Sequence, residues 1–157
     1  MKWVCAVAAV LLLAGCGVQS SGVGDSGAAP TGVAPGVTLY FVDRQERLRP
    51  QLRETGRLGS IAEAMSLLLT GVGDSDLRTE IAATGTTHVV VTSAPGLVQL
   101  MVPVTIDDVT PLGIDQIVCT ALGVHVQSGG SRDTEVQVRF IQPTEESDKR
   151  RTCPLTG

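Results

Sequence analysis

The stretch SIAEAMSLLLTG, residues 60–71, carries the strongest structural signal in the chain. Ser60 and Glu63 have the spacing of a capping box, in which a hydroxyl and a carboxylate satisfy each other's free backbone donors. Apolar side chains then recur at helical spacing, and Gly71 supplies a stop. This stretch therefore predicts an amphipathic helix with one buried face.

A second helix is predicted to begin at Thr110 and Pro111, because proline is tolerated in the first turn. Its apolar stripe has a period near 3.6 and consists of Ile114, Ile117, Val118, Ala121 and Leu122. Cys119 lies one step off this stripe, at a flank from which it could reach a neighbouring strand.

Six stretches around the two helices have the composition or alternation of β-strands. They are residues 37–43, 44–53, 87–92, 97–104, 135–141 and 150–153. Pro95 and Gly96 occupy the central positions that a type II turn prefers, and a short helical turn is expected over residues 74–81. The order of elements predicts an α+β fold, with a mainly antiparallel sheet and both main helices packed on one face.

The N-terminal residues predict export and lipid attachment. Lys2 precedes an apolar run of about ten residues, which is typical of a secretory signal peptide and too short to span a bilayer. The run ends in LAGC, residues 13–16, which resembles the lipobox of bacterial lipoproteins. We therefore expect acylation of Cys16 with palmitate-type chains and an extracytoplasmic protein anchored to the cell membrane. The alternative is an ordinary signal peptide with an incidental cysteine.

Composition divides the chain into three parts. Residues 1–15 are the predicted lipoprotein signal peptide, and residues 16–36 comprise the lipidated cysteine and a flexible tether rich in Gly, Ser, Ala, Val and Pro. Such a tether cannot bury enough apolar area to offset the entropy of ordering it. Residues 37–157 suffice for one domain with a modest core. The formal net charge of −4 argues against nucleic acid as a partner.

The predicted lipidation reduces the number of cysteines that can form a disulfide from four to two. Cys5 leaves with the signal peptide and Cys16 carries lipid, so Cys119 and Cys153 remain, in a compartment where disulfides persist. One intramolecular bridge is then possible, and two separate buried thiols are the alternative.

Several phrases resemble the GerMN family, a domain first defined in sporulation and spore-germination lipoproteins. They are VTLYFVD at residues 37–43, RLRP at residues 47–50, AEAMSLLLTG at residues 62–71 and IDQIVCT at residues 114–120. The resemblance covers roughly residues 37–142 and rests mostly on packing motifs. It implies a GerMN-like α+β fold and a non-catalytic module for assembly or sensing in the cell envelope, and it supplies no catalytic residue.

The two histidines form no recognisable catalytic motif. A nucleophilic site needs Ser or Cys with a histidine base and an orienting carboxylate. His88 begins a predicted strand and His125 follows a predicted helix, so both are interpreted as surface or boundary residues. We predict no catalytic residue and no cofactor.

The carboxylate clusters are also interpreted structurally. Asp74, Asp76 and Glu80 lack the further ligands of a calcium loop, and helix capping accounts for them better. Asp107 and Asp108 are adjacent, and adjacent residues on a strand point in opposite directions, so solvation of a loop is preferred to paired acid catalysis. We predict no metal site.

The most unusual predicted surface is residues 43–57. Its basic side chains are Arg44, Arg47, Arg49, Arg53 and Arg57, which face only three carboxylates in an otherwise acidic protein. Such a patch could contact anionic lipid headgroups or an acidic envelope polymer. The preferred interpretation is an edge strand in which charge and Pro50 prevent aggregation.

Together these features predict a membrane-anchored envelope lipoprotein with a non-catalytic binding or assembly module. Its predicted partners are the lipid membrane, through Cys16, and an envelope protein or polymer. An envelope hydrolase acting on cell-wall material, with acids gathered from separate loops, is the alternative. An oligomeric scaffold is a third hypothesis.

Overall fold

The N-terminal hairpin forms a small sheet of its own. Strands β1 (Val37–Val42) and β2 (Leu48–Arg53) pair antiparallel, with Tyr40 opposite Pro50. The structure, a computed structural model, describes residues 35–155, which belong to one compact unit, Val33–Gly157. The predicted signal peptide, Cys16 and nearly all of the predicted tether lie outside the described residues.

The second sheet has four strands and lies C-terminal to the hairpin in sequence. Its spatial order is β3 (Val90–Ala94), β4 (Leu97–Met101), β5 (Glu135–Arg139) and β6 (Arg150–Arg151). The β3–β4 and β5–β6 pairs are antiparallel, whereas β4 and β5 are parallel. The parallel pair is possible because a helix carries the chain back between them.

The helices are α1 (Ile61–Thr70) and α2 (Pro111–Gln127), and their predicted N-termini are confirmed. The Ser60 hydroxyl accepts the N–H of Glu63 at 3.2 Å, and the Glu63 carboxylate accepts the N–H of Ser60 at 2.6 Å. The hydroxyl of Thr110 accepts the N–H of Gly113, and Pro111 occupies the first turn. Local sequence therefore determines where both helices begin.

The core lies where both helices meet strand β1. The helices contact each other and β1, and α2 also packs on β5. Fully buried side chains from all these elements include Leu39, Phe41, Met65, Leu68, Ile117, Leu122 and Val138. The predicted stripe of α2 is buried as expected, and Val136, Val138 and Phe140 in and beside β5 are also buried. The α+β fold with mostly antiparallel strands is confirmed.

The structure corrects the predicted arrangement in two places. The strands form two sheets, and several are shorter than the apolar runs that predict them. Residues 74–81 form no helix: Arg78 instead exchanges backbone hydrogen bonds with Val42 at 2.8 and 2.9 Å, and Ile81 bridges to Val109. Pairing with the edge of β1 satisfies these backbone groups better than a short, marginal helical turn would.

Two buried polar side chains of α2 complete the outer edge of β1. The Thr120 hydroxyl accepts the Tyr40 N–H at 3.1 Å, and the Gln116 amide donates to the Tyr40 carbonyl at 3.0 Å. The other end of the same amide accepts the N–H of Glu80 at 2.7 Å. Gln116 and Thr120 are wholly buried, so side chains here replace a neighbouring strand.

Candidate binding surface

The centre of the arginine-rich segment is Asp43, at the end of β1. Its carboxylate accepts the N–H groups of Gln45 and Arg47 at 2.9 and 3.0 Å, and the guanidinium Nε atoms of Arg47 and Arg49 lie 3.2 and 2.8 Å away. Desolvation acts to raise the pKa of Asp43, but the Arg49 hydrogen bond and the two backbone donors hold it well below its usual range. Asp43 therefore organises the turn and holds two of the five arginines.

The other three arginines of this segment also have partners within the protein. The Arg53 guanidinium donates to the carbonyls of Gly71 and Val72, beside the outer edge of β2. Arg57 forms an ion pair with Glu63, and Arg44 lies 3.8 Å from Asp76. The charges of all five arginines are thus opposed by nearby carboxylates or carbonyls.

The Arg57–Glu63 pair ties this segment to the start of α1. Hydrogen bonds from the Arg57 side chain and from Ser60 lower the pKa of Glu63 to about 2. The carboxylate therefore stays ionised through mildly acidic conditions, at the positive end of a helix dipole. Its role here is to cap a helix and fix a loop.

The structure joins Cys119 of α2 to Cys153, with 4.7 Å between their Cα atoms. Both cysteines are almost fully buried. The bridge lies in the wall of a shallow cleft of about 220 Å³ whose other walls include Tyr40, Gly123 and Arg132. The chain just beyond β6 is thereby fastened to the helix that supports β1.

Several of the remaining titratable side chains bond to neighbouring parts of the fold. His125 lies 3.0 Å from the Thr134 hydroxyl, through its Nε2 atom, at the end of α2. Asp108 accepts both the N–H and the hydroxyl of Thr105 at 2.7 Å, which lowers its pKa and closes a short 3-10 turn. Glu80 is 2.8 Å from the Arg78 guanidinium. These acids stabilise local structure.

Within residues 35–155, no group of three or more His, Cys, Asp or Glu side chains is placed to hold a metal ion. None of the helices in the same part of the chain is long and apolar enough to cross a membrane.

Three exposed apolar side chains lie at one end of the four-stranded sheet. Val90, Met101 and Ile141 are 50%, 53% and 61% exposed, and they are three of the five large apolar side chains that stand out on the described surface. They rim a groove of about 370 Å³, here called the sheet-end groove, whose other apolar walls are Val102, Pro103, Phe140 and Pro143. Clustered exposed side chains of this kind are typical of contact surfaces.

Polar groups of both signs line the same groove. Arg139 pairs with Met101 in the parallel register of β4 and β5, and His88, Ser147 and Asp148 complete the wall. No carboxylate of the described region lies within ion-pair distance of Arg139. The groove therefore offers an apolar floor and a guanidinium that is available to an incoming acidic group.

The sequence pattern did not lead to a prediction of this groove, although two of the strand regions contain a signal for it. In residues 87–92 and 97–104 apolar side chains occupy both alternating positions, whereas a sheet with one solvated face needs them at only one. Val90 and Met101 occupy the outward positions, opposite each other in the β3–β4 register. Apolar residues at both positions were the signal of an exposed apolar surface.

Comparison with known proteins identifies no relative: no protein-family model, curated protein or solved structure matches the chain.

Proposed function

We propose that this protein is a membrane-anchored envelope lipoprotein whose folded part is a GerMN-like, non-catalytic binding or assembly module. The LAGC sequence ending at Cys16 supports the anchor, and the phrases at residues 37–43 and 62–71 support the family. The contact surface in this proposal is the sheet-end groove. The partner is a protein or polymer of the cell envelope.

The exposed trio of Val90, Met101 and Ile141 is the observation that carries this proposal. Leaving these side chains in water forgoes the free energy that burial would release, about 25 cal/mol per Å² of apolar surface. A partner that covers the groove recovers this free energy. Arg139 adds selectivity for a partner with an acidic group beside its apolar side chain, since unlike charges favour the matching partner.

The acidic side chains of the module serve its own structure in this proposal. Asp43, Glu63 and Asp108 accept hydrogen bonds from backbone groups of the turns and helix ends that they close. A hydrolase would need carboxylates directed at a substrate. The structural engagement of these three therefore favours a binding module over the hydrolase alternative.

Crosslinking in living cells tests the proposal. A photoreactive amino acid at Ile141, in the full chain, should yield a discrete adduct, and Met101→Glu should reduce that adduct at least fivefold by placing a charge in the groove. Leu52→Glu is the matched control, because Leu52 on β2 is 52% exposed and Met101 is 53% exposed. The control should leave the adduct unchanged.

Two results would contradict the proposed function. One is an Ile141 adduct that Met101→Glu and Leu52→Glu affect equally. The other is turnover of cell-wall material by the purified chain that survives Met101→Glu, which would support the hydrolase.

A further inference from the structure

The outer edge of β3 differs from every other strand edge that the structure describes. The edge of β1 is covered by Gln116, Thr120 and Arg78. Strand β2 carries arginines and Pro50, and β6 consists of two arginines. Strand β3 reads VVTSA, with neither charge nor proline, and four of its five residues are exposed. Proteins usually protect such an edge, because it is a template for another strand.

The turn geometry identifies which backbone groups of β3 face outward. Ala94 and Leu97 flank a two-residue turn and pair with each other, so they exchange hydrogen bonds. Bonded and non-bonded pairs alternate along an antiparallel ladder, so Thr92 and Val90 also bond to β4. The N–H and C=O groups of Val91 and Ser93 therefore point to the open edge.

We propose that β3 pairs with β3 of a second copy of this chain, antiparallel about a two-fold axis at Thr92. This is the register that pairs all five residues of both strands. It places Val91 opposite Ser93 of the second copy, so that the outward-facing groups of both strands exchange hydrogen bonds. The strand contains no charged side chain, so no like charges meet across the axis.

The same register makes the apolar surface continuous. Val90 lies opposite Ala94 of the second copy, and both point to the outer face of the sheet. With the pairs Val90–Met101 and Ala94–Leu97 inside each copy, one row across the joined sheets reads Met101, Val90, Ala94 and Leu97, the last two from the second copy. Four neighbouring apolar side chains then form one row where each copy alone has two, which is the self-complementarity that a two-fold interface requires.

This pairing extends the proposed function and rests on it. The second copy lengthens the apolar wall of the sheet-end groove. Five-residue strands make an interface smaller than the ~1,200 Å² of stable complexes, so the dimer is weak in dilute solution. Confinement of both copies to one membrane raises their effective concentration and favours pairing. The measurement therefore belongs in membranes.

Disulfide trapping tests the register. In the full chain in cell membranes, Thr92→Cys should form a covalent dimer on mild oxidation, because non-bonded antiparallel partners lie about 4.5 Å apart at Cα. Ala94→Cys alone should not, since two Ala94 residues lie four positions apart in this register, roughly 13 Å. Co-expressed Ala94→Cys and Val90→Cys chains should cross-link with each other.

The controls are the unmodified chain, which reports the background of its own cysteines, and Leu52→Cys, which reports chance collisions at an equally exposed site. Ser93→Pro, added to Thr92→Cys, should lower the dimer yield at least fivefold, because proline removes an outward N–H but is tolerated on an edge strand. An unchanged thermal unfolding midpoint for Ser93→Pro would show that the fold persists.

Two results would overturn the proposed pairing. One is a yield of Thr92→Cys dimer no higher than that of Leu52→Cys. The other is a yield of dimer from Ala94→Cys alone that equals the yield from Thr92→Cys. Either result, with the Ile141 adduct still sensitive to Met101→Glu, leaves the groove as a binding surface and removes only the second copy. If Thr92→Cys still forms the dimer but Met101→Glu no longer reduces the Ile141 adduct, the second copy stands and the proposed groove partner is refuted.

Discussion

At the scale of single residues, the Gln116 side chain makes hydrogen bonds at the edge of β1 that a neighbouring strand would otherwise make. Its amide spans from the Tyr40 carbonyl to the Glu80 N–H and has no contact with solvent. A buried backbone group without a partner costs about 1–3 kcal/mol, so one side chain here prevents two such losses. The side chain is therefore a structural element in its own right.

Replacement of this side chain tests its role. Gln116→Leu should lower the free energy of unfolding by about 2–4 kcal/mol, because it leaves the Tyr40 carbonyl and the Glu80 N–H unpaired. Urea unfolding followed by circular dichroism measures the change. Gln99→Leu is the matched control: Gln99 donates to Gln137 at 2.8 Å on the outer sheet face, and its loss should cost no more than about 1 kcal/mol. Equal costs would contradict the assigned role.

Sequence reasoning assigned single residues well where the determinants are local. The Ser60–Glu63 capping box and the Pro111 start are read from neighbouring positions, and the structure has both. Gln116 lies beside the apolar stripe of α2, and nothing near it in the sequence indicates burial. Its partner Tyr40 is 76 positions away, a distance over which single-sequence patterns carry no information.

At the scale of elements, the Cys119–Cys153 bridge decides how firmly the C-terminus is held. Strand β6 has only two residues, which pair with β5. So short a strand contributes little by itself. The bridge fixes the chain just beyond it to the middle of α2.

Removal of the bridge should therefore destabilise the domain measurably. A chain carrying Cys119→Ala and Cys153→Ala should lose about 3–4 kcal/mol, because a loop of about 35 residues is no longer closed in the unfolded state. Urea midpoints report the loss. Reductant should shift the unmodified chain toward the variant and leave the variant unchanged. A variant as stable as the oxidised chain would refute the contribution.

Element types were predictable, and their ends and pairing were less so. Both helices follow from periodicity and the six strand regions from composition or alternation, but β3 begins three residues after the predicted strand does and β4 ends at Met101. Residues 74–76 are polar and acidic, which suggests a helix start, yet Arg78 pairs with β1. Tertiary pairing overrode local preference there, as it commonly does for short segments.

At the scale of the whole molecule, the proposed anchor would determine where the proposed binding surface operates. Acylation at Cys16 would confine the domain to the membrane plane, with residues 17–36 between lipid and fold. The groove and the β3 edge would then meet partners held in, or close to, the same membrane.

Metabolic labelling tests the anchor. Cells that express the full chain and receive an alkyne-bearing palmitate should label the protein, and the label should vanish in Cys16→Ala, which lacks the acceptor thiol. Cys5→Ala is the matched control and should label normally. Label that persists in Cys16→Ala, or that disappears in Cys5→Ala, would falsify the assignment of the lipid to Cys16.

The side chains that complete β1 also constrain the order of folding. Strand β1 is made early during synthesis, yet Thr120 and Gln116, which close its outer edge, follow 80 and 76 positions after Tyr40. Contacts of such long range are slow to form, because a long loop must close first. Until α2 folds against it, the nascent hairpin would expose one edge of β1 at Tyr40, and an open strand edge favours misassembly.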